Sequence, residues 1–140
     1  MGLISPPTEA AVKKAEARAR WEGQEKELRE QLAAGGAVLE PPAHEPRLDL
    51  RGIRLAERTL FVRRATLRRV DLDWSDLTWF MDDCVFDDVS FDEANLEGCV
   101  DHGGNLFSSC RFSRTRLLGA ALGSKYQSCR FAGVDLRKTN

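Results

Sequence analysis

The stretch Ala65-Thr-Leu67-Arg-Arg-Val70-Asp-Leu72-Asp-Trp-Ser75-Asp-Leu77 places a leucine at every fifth residue, with a small or β-branched side chain two positions before each. The pattern resumes as Cys84/Phe86, Val89/Phe91 and Ala94/Leu96, then as Cys110/Phe112, Thr115/Leu117 and Ala120/Leu122, and closes as Cys129/Phe131 and Val134/Leu136. A helix repeats every 3.6 residues and a strand every two, so a period of five sustained from Leu67 to Leu136 marks a repeat architecture. Two apolar side chains in five are too few for a sandwich face but enough to fill a narrow tube. In such a tube, neighbouring turns supply the backbone partners that short strands lack alone.

The units Ala65-Thr-Leu67-Arg-Arg, Val70-Asp-Leu72-Asp-Trp, Ser75-Asp-Leu77, Ala94-Asn-Leu96-Glu-Gly and Val134-Asp-Leu136-Arg-Lys resemble the A(D/N)LXX motif of the pentapeptide-repeat family, over about Leu48 to Lys138. The resemblance implies an all-β solenoid, a right-handed quadrilateral β-helix in which four pentapeptides make one square turn. The Leu or Phe and the small residue two before it point inward. Each turn then advances about 4.8 Å along the axis. Leu55, Leu72, Phe91, Phe112 and Phe131 are expected in one column and Leu60, Leu77, Leu96, Leu117 and Leu136 in the next, both at intervals of 17, 19, 21 and 19.

With 140 residues the chain has room for one small domain and an appendage. Residues 1–36 read as an N-terminal helical segment, 37–46 as a stiff Pro-rich linker, and 47–140 as the solenoid. No apolar run approaches the roughly 18 residues of a membrane span, and the N-terminus lacks the apolar centre of a secretory signal. A cytoplasmic protein with no membrane contact is expected. Met1-Gly2 does not open a myristoylation motif, because Ser5 stands one place early and Pro6 occupies the hydroxyl position. Cys84, Cys99, Cys110 and Cys129 fall at or near the small inward position and form no CxxC pair, so they read as buried fillers. A Cys110–Cys129 disulfide is geometrically conceivable. No metal or cofactor is expected, since His44 and His102 lie outside any ligand spacing with these thiols.

Thr8 followed by Glu9 reads as a helix start, with the helix continuing to about Ala33 and stopping at Gly35-Gly36. Its apolar stripe of Ala10, Ala17, Trp21, Leu28 and Leu32 is thin. The segment reads either as a cap on the open end of the solenoid or as a docking helix anchored by Trp21, Leu28 and Leu32.

The formal charge of −1 conceals blocks: eight basic residues from Arg47 to Val70, eleven acids and no Lys or Arg from Asp71 to Asp101, and seven basic residues from His102 onward. Along a solenoid these become bands, which can favour self-association or simply neutralise one another between turns. Some members of the pentapeptide-repeat family mimic DNA and bind a type II topoisomerase (gyrase) through a negative stripe along the rod. Here the acids encircle a segment, so that reading stands second. Direct nucleic-acid binding is not expected from a slightly acidic chain without a continuous basic strip.

Three interruptions of the ladder, at Thr78–Asp83, Asp101–Asn105 and Gly123–Ser128, are where function is expected to concentrate. Asp101-His102-Gly103-Gly104-Asn105 reads as a bulge with glycines for positive φ rather than a catalytic corner, because no nucleophile or second base accompanies His102. Trp74, Trp79 and Phe80 form an aromatic belt suited to a partner, or to the N-terminal helix. The expected function is a non-enzymatic scaffold that binds another protein or itself, without a small-molecule substrate, through Trp21, Leu28, Leu32, Trp74, Trp79 and Phe80.

Overall fold

A recurrent left-handed corner sets the course of the backbone. Arg64, Arg69 and Trp74, then Asp83, Asp88 and Glu93, then Ser109 and Arg114, and Ser128 all have φ between 52° and 62°. Each lies two residues after a large inward side chain, five residues from the next corner where the ladder is unbroken. This conformation costs an L-residue about 1–2 kcal/mol. It persists because backbone hydrogen bonds to the adjacent turns hold it, as in Arg69 N–H to the Asp87 carbonyl (3.0 Å) and Asp88 N–H to the Ser108 carbonyl (2.8 Å).

The computed structural model describes residues 8–21, 23–116 and 125–134. Two helices, α1 (Glu9–Arg20) and α2 (Glu25–Ala33), precede short strands: β1 (Val38–Leu39), β2 (Leu48–Asp49), β3 (Arg54–Arg63), β4 (Thr66–Arg68), β5 (Val70–Asp71), β6 (Asp76–Asp82), β7 (Val85–Asp87), β8 (Val100–Asp101), β9 (Leu106–Ser108), β10 (Arg111–Ser113), β11 (Lys125–Gln127) and β12 (Arg130–Ala132). All strand pairing is parallel, in the orders β1-β4-β7-β9-β11, β3-β6-β8, β2-β5 and β10-β12. Single bridges Asp71–Ser90–Arg111 and Asp76–Asn95–Arg116 continue the ladders where regular strands lapse. The result is a β-solenoid of about four turns.

Inside it, aromatic rings stack in two columns. Phe91, Phe112 and Phe131 form one, with centroids 5.1 and 4.8 Å apart and planes within 7°. Phe86, Phe107 and Tyr126 form the other, at 4.6 and 4.8 Å. The columns touch at a tilt, with Phe107–Phe112 centroids at 6.0 Å. The small inward positions do more than fill space. Cys84, Cys99, Cys110 and Cys129 are free thiols that donate to the carbonyls of Val62, Leu77, Phe86 and Phe107 at 3.2–3.5 Å, and the Thr115 hydroxyl donates to Phe91 O at 2.7 Å. Each of these bonds ties one turn to the turn before it.

Several expectations are corrected. Leu55 pairs with Leu77 rather than Leu72, and Leu60 with Trp79 rather than Leu77. Leu50 lies over Leu72, its N–H donating to the Asp71 carbonyl (2.9 Å). The first interval of that column therefore runs from Leu50 to Leu72 and is longer than the one expected from Leu55. The cause is a register shift in β3, where five residue steps from Leu55 to Leu60 run opposite two steps from Leu77 to Trp79. Leu117, Leu122 and Leu136 lie outside the described residues. Thr78–Asp83 does not break the wall: β6 alternates regularly, with Leu77, Trp79 and Met81 buried. The expected linker contributes to the solenoid, because β1 pairs with Thr66 and Leu67, and Ala37, Leu39 and Pro41 are buried.

The single N-terminal helix is also two. Thr8 caps α1 as expected, its hydroxyl accepting from Ala11 N–H (3.0 Å). The helix breaks after Arg20 because Trp21 is drawn to the first turn, donating its Nε1–H to the Arg51 carbonyl (2.9 Å), and Gly23 takes φ +81°. Ala17 sits so close to Gly52 that a Cβ there would lie 2.8 Å from Arg18 N. Arg18 donates to Asp76 (2.9 Å) and Arg20 reaches Asp49 (3.1 Å). Leu32 of α2 is fully buried in the core, and α2 packs on β3. The helical segment thus lies over the first turn.

Candidate partner-binding face

On the sheet β3-β6-β8 the alternation that sends Leu60, Val62, Trp79 and Met81 inward sends Phe61 and Phe80 outward. These two are register partners, with ring centroids 5.2 Å apart, and the exposed His102 imidazole continues the row 4.8 Å from Phe80. Phe61 is 54% exposed, the largest value among the large apolar side chains of the described residues. Three rings therefore climb the outside of three successive turns.

Many charges away from this row are paired, although Arg69, Asp87 and Arg130 make no ion pair among the described residues. On other faces the basic and acidic bands close on one another: Arg47 bridges Asp71 (2.6 Å) and Asp88 (3.0 Å), Arg111 grips Asp92, and Arg116 reaches Glu97 (3.3 Å). Arg54 and Arg18 share Asp76, and Arg114 approaches Glu93 (3.8 Å). Beside the aromatic row, Arg63 is the register partner of Asp82, and Arg64 and Asp83 occupy the following corners. None of these four makes an ion pair among the described residues.

The six residues expected to meet a partner divide sharply. Leu32 and Trp79 are sealed in the core and present no surface, because α2 seats Leu32 on the first turn and strand alternation turns Trp79 inward. Trp21 and Leu28 are half-buried against that core. Trp74 sits at a left-handed corner beside α1, its Nε1–H donating to Glu93 (3.2 Å), the Arg51 guanidinium over its ring at 5.8 Å, and its carbonyl accepting from Arg18 (3.3 Å). Phe80 alone joins the outer row. Phe61 escaped the sequence reading, although it precedes Phe80 by the same interval that separates Leu72 from Phe91.

No protein-family model and no curated protein matches this sequence.

The Asp101–Asn105 corner is a structural bulge. The Asn105 side chain, almost completely buried, accepts from Cys84 N–H (2.7 Å) and donates to the Met81 carbonyl (3.1 Å) and to Asp101 (2.5 Å). It thus stands in for ladder partners where two extra residues lengthen the turn. Gly103 and Gly104 take φ +121° and +71°, as the sequence suggested. His102 belongs to the aromatic row. Burial pushes the Cys99 and Cys110 thiols up to about 12 and raises Cys84 as well, which keeps them protonated and poorly nucleophilic. Among the described residues no three His, Cys, Asp or Glu side chains gather as a metal site, and no helix is long and apolar enough to cross a membrane.

Two carboxylates are displaced in opposite directions. At Asp73, burial raises the pKa and the neighbouring Asp92 adds to it, against hydrogen bonds from Ser90 Oγ (2.5 Å) and Asp92 N–H (3.0 Å). At Asp49, burial also pushes upward, but hydrogen bonds from the Arg51 side chain and backbone and from Arg20 outweigh it and hold the carboxyl at about 2.

Proposed function

We propose that this chain is a right-handed quadrilateral β-helix of the pentapeptide-repeat kind, serving as a rigid, non-enzymatic scaffold that binds another protein or a second copy of itself. One observation carries the reading: the Phe61–Phe80–His102 row exposes aromatic surface on a rigid wall, beside charged residues left without ion-pair partners among those described. Exposed aromatic surface with a polar rim is the usual anatomy of a protein contact. Trp74 and the half-buried Trp21 and Leu28, beside α1, supply a secondary surface.

Neutralisation of Asp71, Asp76, Asp88, Asp92, Glu93 and Glu97 by arginines weighs against an uninterrupted negative stripe of the sort a DNA mimic of a type II topoisomerase substrate would need. The test compares the full chain with Phe61→Glu and Phe80→Glu as baits, monitoring their folding by circular dichroism. Protein association is expected to fall in both variants while β-structure is retained. Undiminished association in both would sink this surface, and competition with duplex DNA for a topoisomerase would reinstate the mimic.

A further inference from the structure

Resting on the scaffold reading above, we propose that the occupant of the aromatic row is a second copy of this chain, docked by a two-fold axis that runs parallel to β3 and β6 and passes between them. The argument is one of self-complementarity. An isologous interface requires a patch that matches itself after a half-turn. Phe61 pairs in register with Phe80 and Arg63 with Asp82, each pair at the same height along the two strands. A half-turn about an axis along the strands exchanges the two turns and preserves that height. It lays Phe61 on Phe80 of the second copy and sets Arg63 against Asp82 of the second copy, each contact occurring twice. The corner residues Arg64 and Asp83 follow the same exchange.

Two independent features make this face suited to the contact. The row exposes aromatic surface, Phe61 being 54% accessible. The bordering Arg63, Arg64, Asp82 and Asp83 are unpaired among the described residues and, unlike the unpaired Arg69 and Asp87 of another face, stand beside exposed rings as opposite charges in matching register. An unrelated partner would have to present aromatic, acidic and basic groups at the roughly 4.8 Å spacing of solenoid turns. This chain already presents all of them.

The deciding experiment is sedimentation equilibrium of the full chain, extended to concentrations of about 1 mM so that a weak dimer is populated. Arg63→Asp and Asp82→Arg singly are expected to weaken dimerisation by about tenfold or more, while the double exchange restores most of it, as a direct pairing requires. Phe61→Glu should leave a folded monomer. A chain that stays monomeric throughout, a dimer indifferent to these changes, or a double exchange no better than the singles would each overturn the inference. A monomeric chain that nevertheless loses a different protein on Phe61→Glu would overturn it while leaving the scaffold proposal standing. Loss of neither association would remove both.

Discussion

Replacing Phe112 with Ala probes the central feature of the fold. The side chain is 1% exposed and is held between Phe91 and Phe131 at 5.1 and 4.8 Å, with Phe107 and Tyr126 at 6.0 and 6.1 Å to its side. Truncating a buried Phe costs about 3–5 kcal/mol when the site cannot collapse. A solenoid wall pinned on both sides by backbone ladders has little freedom to collapse, so the upper part of that range is expected. Each stacked pair lost contributes about 0.5–1.5 kcal/mol beyond area burial, and this is counted within the same figure. For 140 residues, a stability near 0.1 kcal/mol per residue gives about 14 kcal/mol in all, so the variant should fold yet lose close to a third of its margin. Urea unfolding followed by far-ultraviolet circular dichroism should show a clear fall in the midpoint, while Phe61→Ala, on the outer surface, should change stability by less than about 0.5 kcal/mol. A loss below about 1 kcal/mol for Phe112→Ala would mean that the ring columns do not bear on stability as argued.

Thiol labelling of the native protein should modify Cys129, the half-buried cysteine, first, and Cys84, Cys99 and Cys110 only after unfolding; fast modification of Cys99 or Cys110 would contradict their burial. At the exposed left-handed corner Arg69 (φ 53°), Arg69→Gly should be neutral or stabilising by up to about 1 kcal/mol, whereas Arg69→Val should cost about 1–2 kcal/mol, read from thermal unfolding. The two displaced carboxylates predict opposite pH effects. Because the folded pKa of Asp73 is raised, its favourable contribution is complete below the unfolded value of about 3.9 and is lost as pH rises through the folded value, so Asp73→Asn should stabilise at neutral pH and not at about pH 3. Because that of Asp49 is depressed to about 2, its contribution is present above about 3.9 and is lost as pH falls through about 2, so Asp49→Asn should destabilise at neutral pH, with the difference fading in acid.

The ladder was legible because the inward position asks only for size and apolarity at a fixed step, and composition alone records that. The same logic could have reached further. Phe107 follows Phe86 by the step that takes Phe91 to Phe112, and Tyr126 follows Phe107 by the step that takes Phe112 to Phe131. The register of Leu55 and Leu60 was not legible, since the extra residues of β3 carry no apolar signature. Nor was the break at Trp21, which follows from a tertiary bond to Arg51 rather than from local propensity. The outer face was the least readable. Outward positions answer to no packing requirement, so nothing in local sequence singles out Phe61; the β3–β6 register sets it beside Phe80.

The bonds that join each turn to its predecessor divide the fold into mechanical units of nearly equal length. Leu32 of α2 is sealed into the core at the first turn, while Phe131 in the last described turn is 44% exposed. Turns whose contacts reach only their neighbours separate one at a time. A chain under tension would then lengthen in near-equal increments, each freeing the stretch of chain between stacked positions such as Phe91, Phe112 and Phe131. At about 3.4 Å of extended chain per residue each increment is about 65–70 Å, so the spacing of the aromatic ladder would be written directly into the force trace.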